Sequence, residues 1–298
     1  MRLHLNSNTV NAQAGQDGLF QKGVIMRVFS IHLDASPDHG DPVLDCYLLE
    51  KMPGEAPQHF TSVIVCPGGG YTHLSPREGE PIAMAFAAKG FQTFVLRYSL
   101  KPVTYPKPLL DAAKAISTVR DHAEEWDLDP DKIVIGGFSA GGHLSAAIAT
   151  FWNDKRIREI GIEGRKARPN GVFLGYSVVT AGPDESDPGP FAGRLCGESI
   201  SDPEMLKFAF IPNHVTEENP PTFIWHTATD PAVPVQNALA MSKALSAKKV
   251  PFELHIYPKG KHGLALANEH TCNGDPEMII PEVAGWIDLC CDWIRRTV

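Results

Sequence analysis

Three residues in this chain have the types and surroundings for nucleophilic chemistry: a serine, a histidine and an aspartate. The serine is Ser139, in Gly136-Gly137-Phe138-Ser139-Ala140-Gly141-Gly142-His143, which contains the pattern G-x-S-x-G. A serine hydroxyl is a poor nucleophile until a base removes its proton. Of twelve histidines, His262 is the best placed to be that base. It lies in Pro258-Lys259-Gly260-Lys261-His262-Gly263, after an apolar stretch, and flanking glycines give its loop reach. His270 is the nearest rival but falls outside that glycine-flanked turn. His4, His32, His39, His59 and His122 read as surface or structural histidines. The imidazole needs an acid that holds it in one tautomer and stabilises its charged form. Asp230, in Trp225-His226-Thr227-Ala228-Thr229-Asp230-Pro231, suits that role, with Asp184 and Asp187 as the next candidates. A turn or helix-capping aspartate is the plain alternative for Asp230.

The pattern around Ser139 is weak alone, since a chain of this glycine content matches it by chance on the order of once in ten. Its setting adds weight. A short apolar run, KIVI, leads in and a small-residue helical run, AGGHLSAAIATFW, leads out. A strand, a sharp turn and a helix in that order lift a serine hydroxyl above the edge of a sheet. Attack on a carbonyl also creates an oxyanion, which needs donors already aimed at it. Cys66-Pro67-Gly68-Gly69-Gly70-Tyr71 follows another apolar run. Gly69 and Gly70, with the N–H of Ala140, are the candidate donors. Such a glycine run could also cradle a phosphate, but no G-K-[ST] follows and no G-x-G-x-x-G is present. Tyr71, Phe138, His143, Phe191 and Val233 are candidates to line the substrate pocket, with core packing as the alternative for Phe138 and His143. Arg77, Glu78 and Glu80 form a charged patch beside the glycine run, either an internal ion pair or a substrate contact.

The elements that must position these residues alternate. Strands are predicted over 23–34, 43–50, 61–66, 92–100, 132–135, 171–179, 221–227 and 251–257 from their β-branched content and closing turn residues. Helices are predicted over 81–89, 108–126, after Ser139, over 235–248 and at the C-terminus. The last carries Val283, Trp286, Leu289, Cys290, Trp293 and Ile294 at helical spacing. Alternation of this kind implies a mostly parallel central sheet with helices on both faces. Segment 180–219, rich in Gly, Pro and Asp, breaks the rhythm and reads as a cap-like insertion in a single domain spanning 1–298.

Bulk properties narrow the partners. The formal net charge of −8 argues against nucleic acid and anionic membranes, which attract basic patches. The N-terminal stretch lacks the apolar core of a secretory signal, and no run is long enough to span a bilayer. The six cysteines have no CxxC spacing and read as buried thiols. With no HExxH either, no metal and no cofactor are expected, and a cytoplasmic location is the default. Whether the chain acts alone or as a homo-oligomer is left open.

Taken together, PGGGY at 67–71, REGEP at 77–81, YPKPLLDAAKAISTVR at 105–120, GGFSAGGHLSA at 136–146, PPTFIWHTATDPAVPVQNAL at 220–239 and PFELHIYPKGKHGLALAN at 251–268 resemble the bacterial acetyl-esterase branch of the α/β-hydrolases, the group that includes acetyl-xylan-esterase-like proteins. The likeness runs from about residue 60 to the C-terminus. Pro67 stands where lipases and esterases with HGGG carry histidine, and the segment GPDESDPGPFAGRLCG matches no pattern of that group. The resemblance implies the α/β-hydrolase fold and a cofactor-free esterase acting on small acyl groups, acetyl above all, including those on sugar hydroxyls and xylo-oligosaccharides. A small serine peptidase related to prolyl peptidases shares the elbow and the Ser, Asp, His order. However, the chain lacks their large N-terminal propeller and shows no acidic pair to grip a peptide amine. A binding protein that kept the fold without the chemistry is the third reading, disfavoured because all three candidates and the glycine run are present.

Overall fold

A computed structural model describes residues 26–34, 41–51, 59–182 and 189–298. Its strands are β1 (Arg27–His32), β2 (Val43–Leu48), β3 (Phe60–Cys66), β4 (Gln92–Arg97), β5 (Leu128–Phe138), β6 (Gly171–Gly175), β7 (Thr222–Thr227) and β8 (Phe252–Tyr257). They form one sheet in the order β1-β2-β4-β3-β5-β6-β7-β8. The β1/β2 and β2/β4 pairs are antiparallel and every later pair is parallel. The helices are α1 (Glu80–Ala87), α2 (Lys107–Asp121), α3 (Ser139–Phe151), α4 (Lys155–Glu159), α5 (Gly189–Cys196), α6 (Pro203–Leu206), α7 (Gln236–Ala247), α8 (Pro281–Ala284) and α9 (Trp286–Thr297).

The sheet separates two cores because side chains alternate across a strand. Ile64, Cys66, Ile133, Ile135, Leu174 and Ile224 point to one face, where they meet Leu109 and Ile116 of α2, Leu144 and Ile148 of α3, and Met241 and Leu245 of α7. Val63, Val65, Val134, Phe173, Phe223 and Trp225 point to the other, against Ile82 and Phe86 of α1 and Trp286, Cys290 and Trp293 of α9. Central strands buried on both faces read as unbroken apolar runs, which is what parallel sheets require.

The structure alters several expected boundaries. The strands expected to reach 100 and 179 stop at Arg97 and Gly175, where the chain leaves the sheet to form the site. The helix expected to 126 ends at Asp121, and β5 is longer than its apolar centre. The part of the first strand expected over 23–25 lies outside the described residues. At the C-terminus the expected single helix is divided at Gly285. The buried stripe of α9 runs through Trp286, Ile287, Cys290, Cys291, Trp293 and Ile294. That phase turns Leu289 to the flank, where it is 40% exposed.

Within 180–219, the chain forms α5 and α6 with short 3-10 turns at Gly197–Ser201, Lys207–Ala209 and Ile211–His214. It is tied to the end of β6 by an antiparallel bridge between Thr180 and Phe210, with Ala181 N–H donating to Ala209 O at 2.9 Å and Ile211 N–H to Val179 O at 3.1 Å. Phe208, Ala209 and Ile211 are buried beneath it.

Candidate active site

Strand β5 passes into α3 at Ser139 with no loop between them. Ser139 takes φ +51°, a left-handed conformation that is costly for a residue with a side chain and typical of functional sites. The flanking glycines make the turn sterically feasible. A Cβ on Gly137 would lie 2.3 Å from the Cys66 carbonyl oxygen, and one on Gly141 only 2.1 Å from the same atom. The elbow is thus pressed against the end of β3, and only glycine fits at either position.

Asp230 and His262 come from loops at the carboxyl ends of β7 and β8. His262 Nδ1–H donates to Asp230 Oδ2 at 2.8 Å, and Ser139 Oγ–H donates to His262 Nε2 at 2.9 Å. These loops are fastened to each other. Thr227 Oγ1 donates to Gly260 O at 3.0 Å, and Gly260 N–H donates to Thr229 Oγ1 at 3.1 Å. Asp230 Oδ1 accepts from the N–H groups of Ala232 and Val233, both at 2.9 Å. The aspartate side chain is fully buried while that of His262 stays 24% exposed. Burial by itself would raise the Asp230 carboxyl. The side chains of His226 and His262 and the Val233 N–H more than offset it, holding the group well below the ordinary carboxylate range. His270 is exposed, and Asp184 and Asp187 lie outside the described residues.

His226, four residues before Asp230, is not singled out by its position in the sequence. It is fully buried at 3.6 Å from Asp230 Oδ2, and its Nε2–H donates to Val233 O at 2.9 Å. The available signal is an ionisable residue within the fully buried strand TFIWHT.

The glycine turn is strained in the manner expected of a donor loop. Gly70 and Tyr71 have φ +62° and +60°. Gly68 N–H is occupied by Glu78 Oε2 at 2.8 Å, and the carbonyls of Gly68 and Gly69 accept from Ser75, Thr72 and His73 within the turn. Among the described residues the N–H groups of Gly69 and Gly70 have no protein acceptor. Ala140 lies in the first turn of α3, where backbone donors lack intrahelical partners.

A cleft of about 610 Å³ opens onto the glycine turn, Ser139 and His262. Gly69, Gly70, Ser139, His262, Phe191 and Val233 line it, as do Arg194 and Thr180. Tyr71, Phe138 and His143 do not, which corrects their assignment as lining residues. Phe138 is fully buried among Phe173, Tyr176, Trp225 and Trp286, because the residue before the elbow points back through the sheet. His143 donates from Nε2 to Phe208 O at 2.7 Å, so its Nδ1 is the acceptor for the Tyr71 hydroxyl at 2.8 Å. The Tyr105 hydroxyl lies 3.0 Å from that of Tyr71. This network joins the glycine turn to segment 207–209, and burial pushes His143 down to about 4.

Of the charged patch, Arg77 and Glu78 border the cleft and also make internal contacts. Arg77 Nη1 donates to Gly263 O at 2.7 Å and to Thr271 O at 2.9 Å. Glu78 is buried, and Glu80 faces solvent. Among the described residues no cluster of three or more His, Cys, Asp or Glu is placed to hold a metal, and no helix is long and apolar enough to cross a membrane. Cys46, Cys66, Cys196, Cys290 and Cys291 are buried free thiols and Cys272 is half-buried.

A family model described as BD-FAE matches residues 44–245. An endo-1,4-beta-xylanase B from Butyrivibrio fibrisolvens is 35% identical over 71% of this chain and 34% of its own length. An acetylxylan esterase from Xylanibacter ruminicola is 27% identical over 90% of this chain and 54% of its own. The chain therefore spans between about a third and a half of these curated relatives. Solved structures match over nearly their full length. An acetyl ester-xyloside bifunctional hydrolase from Caldicellulosiruptor lactoaceticus has a TM-score of 0.76 at 33% identity, covering 92% of this chain and 98% of that one. A carboxylesterase from Lactobacillus plantarum has a TM-score of 0.78 at 28% identity, covering 91% and 98%.

Proposed function

The chain belongs to the BD-FAE family, and on that premise we propose that it is a serine carboxylic ester hydrolase acting on small acyl esters, acetyl foremost, carried by sugar hydroxyls. Its fold is the α/β-hydrolase fold, and in this reading 1–298 is one domain with 180–219 as a cap over the cleft. The observation that carries the proposal is the continuous relay from Asp230 through His262 to Ser139, with hydrogen bonds of 2.8 and 2.9 Å at the floor of the cleft.

In the proposed reaction Ser139 Oγ attacks the ester carbonyl while His262 Nε2 takes its proton. The negative charge of the tetrahedral intermediate is received by the N–H groups of Gly69, Gly70 and Ala140. His262 then protonates the leaving alcohol, and an acyl-enzyme remains on Ser139. Water, deprotonated by His262, releases the acid by the reverse sequence. Asp230 keeps the imidazole in the tautomer that presents a free Nε2 and stabilises its charged form. An acetyl group fills only a small part of a cleft of about 610 Å³, which leaves room for an alcohol the size of a sugar. The names of the acetylxylan esterase and the acetyl ester-xyloside hydrolase among its relatives support a carbohydrate alcohol.

The test is hydrolysis of p-nitrophenyl acetate, longer acyl esters and acetylated xylo-oligosaccharides, with Ser139→Ala as control. The expected result is turnover of acetyl esters that Ser139→Ala lowers by roughly 10⁴-fold or more. Full activity of Ser139→Ala would sink the mechanism, and a flat response to sugar acetates would remove the carbohydrate part.

A further inference from the structure

Glu78 is a buried acid, 3% exposed, to which the reaction above assigns no step. It ends the 3-10 turn Pro76–Glu78, and its two carboxyl oxygens reach separate parts of the site. Oε2 accepts from Gly68 N–H at 2.8 Å, next to the proposed oxyanion donors. Oε1 accepts from the Tyr176 hydroxyl at 2.7 Å. The Tyr176 oxygen in turn accepts from Ala265 N–H at 3.0 Å, in the loop that carries His262. The rings of Tyr176 and His262 meet edge to face with centroids 5.1 Å apart.

The two loops joined in this way have no backbone ladder between them. Turn 68–70 follows β3 and Tyr176 follows β6, and these strands flank β5 on opposite sides. The connection therefore passes across the end of β5, beside the nucleophile. A Cβ on Gly68 would lie 2.6 Å from Glu78 Oε2 and 3.0 Å from Ser139 Cβ, so carboxylate, turn and elbow are in direct contact. The neighbouring Arg77 braces the same histidine loop through the carbonyls of Gly263 and Thr271. Both partners of Glu78 are donors, which matches a side chain whose two oxygens can both accept.

We propose that Glu78 is a positioning residue that holds the oxyanion turn and the histidine loop in a fixed relation. The N–H groups that receive the charge and the imidazole that takes the proton must bear on one carbonyl carbon at the same moment. Preorganisation of that kind is lost when one partner drifts by about 1 Å. The inference rests on the ester-hydrolase reading and adds to it a residue that does not touch the reacting atoms.

Two variants test it. Glu78→Gln keeps the side chain's size but turns one acceptor into a donor facing a donor, and Tyr176→Phe removes only the hydroxyl. For each, kcat and KM with p-nitrophenyl acetate are measured beside the rate at which a fluorophosphonate labels Ser139, with the thermal midpoint as a control for folding. The expected result is a fall in kcat and labelling rate of roughly 10- to 100-fold with KM near wild type. The double variant is expected to lose little more than the larger single, because both break one link. Wild-type kcat and labelling in the folded variants, or a loss confined to KM, overturns the proposal. If Glu78→Gln does not fold, Tyr176→Phe decides by the same criteria. A wild type that neither hydrolyses esters nor labels removes the ester-hydrolase reading and this inference with it. Variants that match an active wild type remove this inference alone.

Discussion

The carboxyl edge of the sheet and the segment above it, 189–214, both contribute to the same cleft but are built by different means. At the sheet edge Ser139, Asp230 and His262 stand at the carboxyl ends of the parallel strands β5, β7 and β8. Each is held by short hydrogen bonds or by glycines that admit no Cβ. The upper segment consists of short helices and turns. It offers Phe191, half-buried, and Arg194, exposed and without an ion pair among the described residues, to the cleft. It is fastened from below by His143, whose Nε2–H reaches Phe208 O at 2.7 Å. In the proposed reaction the difference is a division of labour: the groups that would make and break bonds rest on strand ends, while those that would face the variable part of a substrate sit on a locally built layer.

This contrast can be broken by experiment. The largest effect is expected at the sheet edge. Asp230→Asn should lower kcat for p-nitrophenyl acetate by roughly 10²- to 10⁴-fold, because the amide favours the wrong imidazole tautomer. A loss below tenfold would show that the aspartate only fastens its loop.

Next comes the fastening beneath the upper segment, which titrates. Burial holds His143 at about 4, against 6.5 for the free side chain. Between those values only the unfolded chain takes up the proton. Stability is therefore full above about pH 6.5 and declines as pH falls toward 4, by about 1.4 kcal/mol per unit and about 3 kcal/mol in all. Asp230, held below the ordinary carboxylate range, adds a further loss only beneath about pH 4. Urea midpoints measured across pH 4–7 should show this slope in the wild type, and His143→Gln should flatten it. An unchanged slope in that variant would remove His143 as its source.

Tyr71→Phe leaves His143 Nδ1 only the longer contact of 3.4 Å to the Tyr105 hydroxyl. It should destabilise the fold by about 1–3 kcal/mol, read as a lower urea midpoint, even though Tyr71 does not face the cleft. The smallest effect is expected from Phe191→Ala. Its ring lies on the cleft wall, so KM for the larger sugar acetates should rise by less than about tenfold, with kcat for p-nitrophenyl acetate near wild type. A large drop in kcat would place this layer within the chemistry and end the comparison.

Much of this arrangement was legible in the residues. The elbow could be read because glycines on both sides of a serine, between an apolar run and a small-residue helix, have few other uses. His262 and Asp230 could be read because each follows an apolar run at the end of the chain's β/α alternation. Boundaries were less legible: Arg97 and Gly175 end their strands although β-branched or apolar residues continue, since departure from a sheet is decided by what the next residues meet. Leu289 was misplaced because a periodic pattern does not reveal its phase when a break such as Gly285 resets it.

The local pattern of Gly, Ser, Asp and His determined the type of chemistry proposed for this chain and the order of the elements that would carry it. Tertiary structure alone decided which aromatic and ionisable residues face the cleft. Tyr71, Phe138 and His143 flank the proposed catalytic segments in sequence, yet they are buried away from the cleft. Glu78, Tyr176 and His226 support the site from distant or hidden positions. The physical reason is range. Turn geometry and periodicity act over a few residues, whereas a buried polar group is placed by whichever partner, however remote in the chain, can satisfy it.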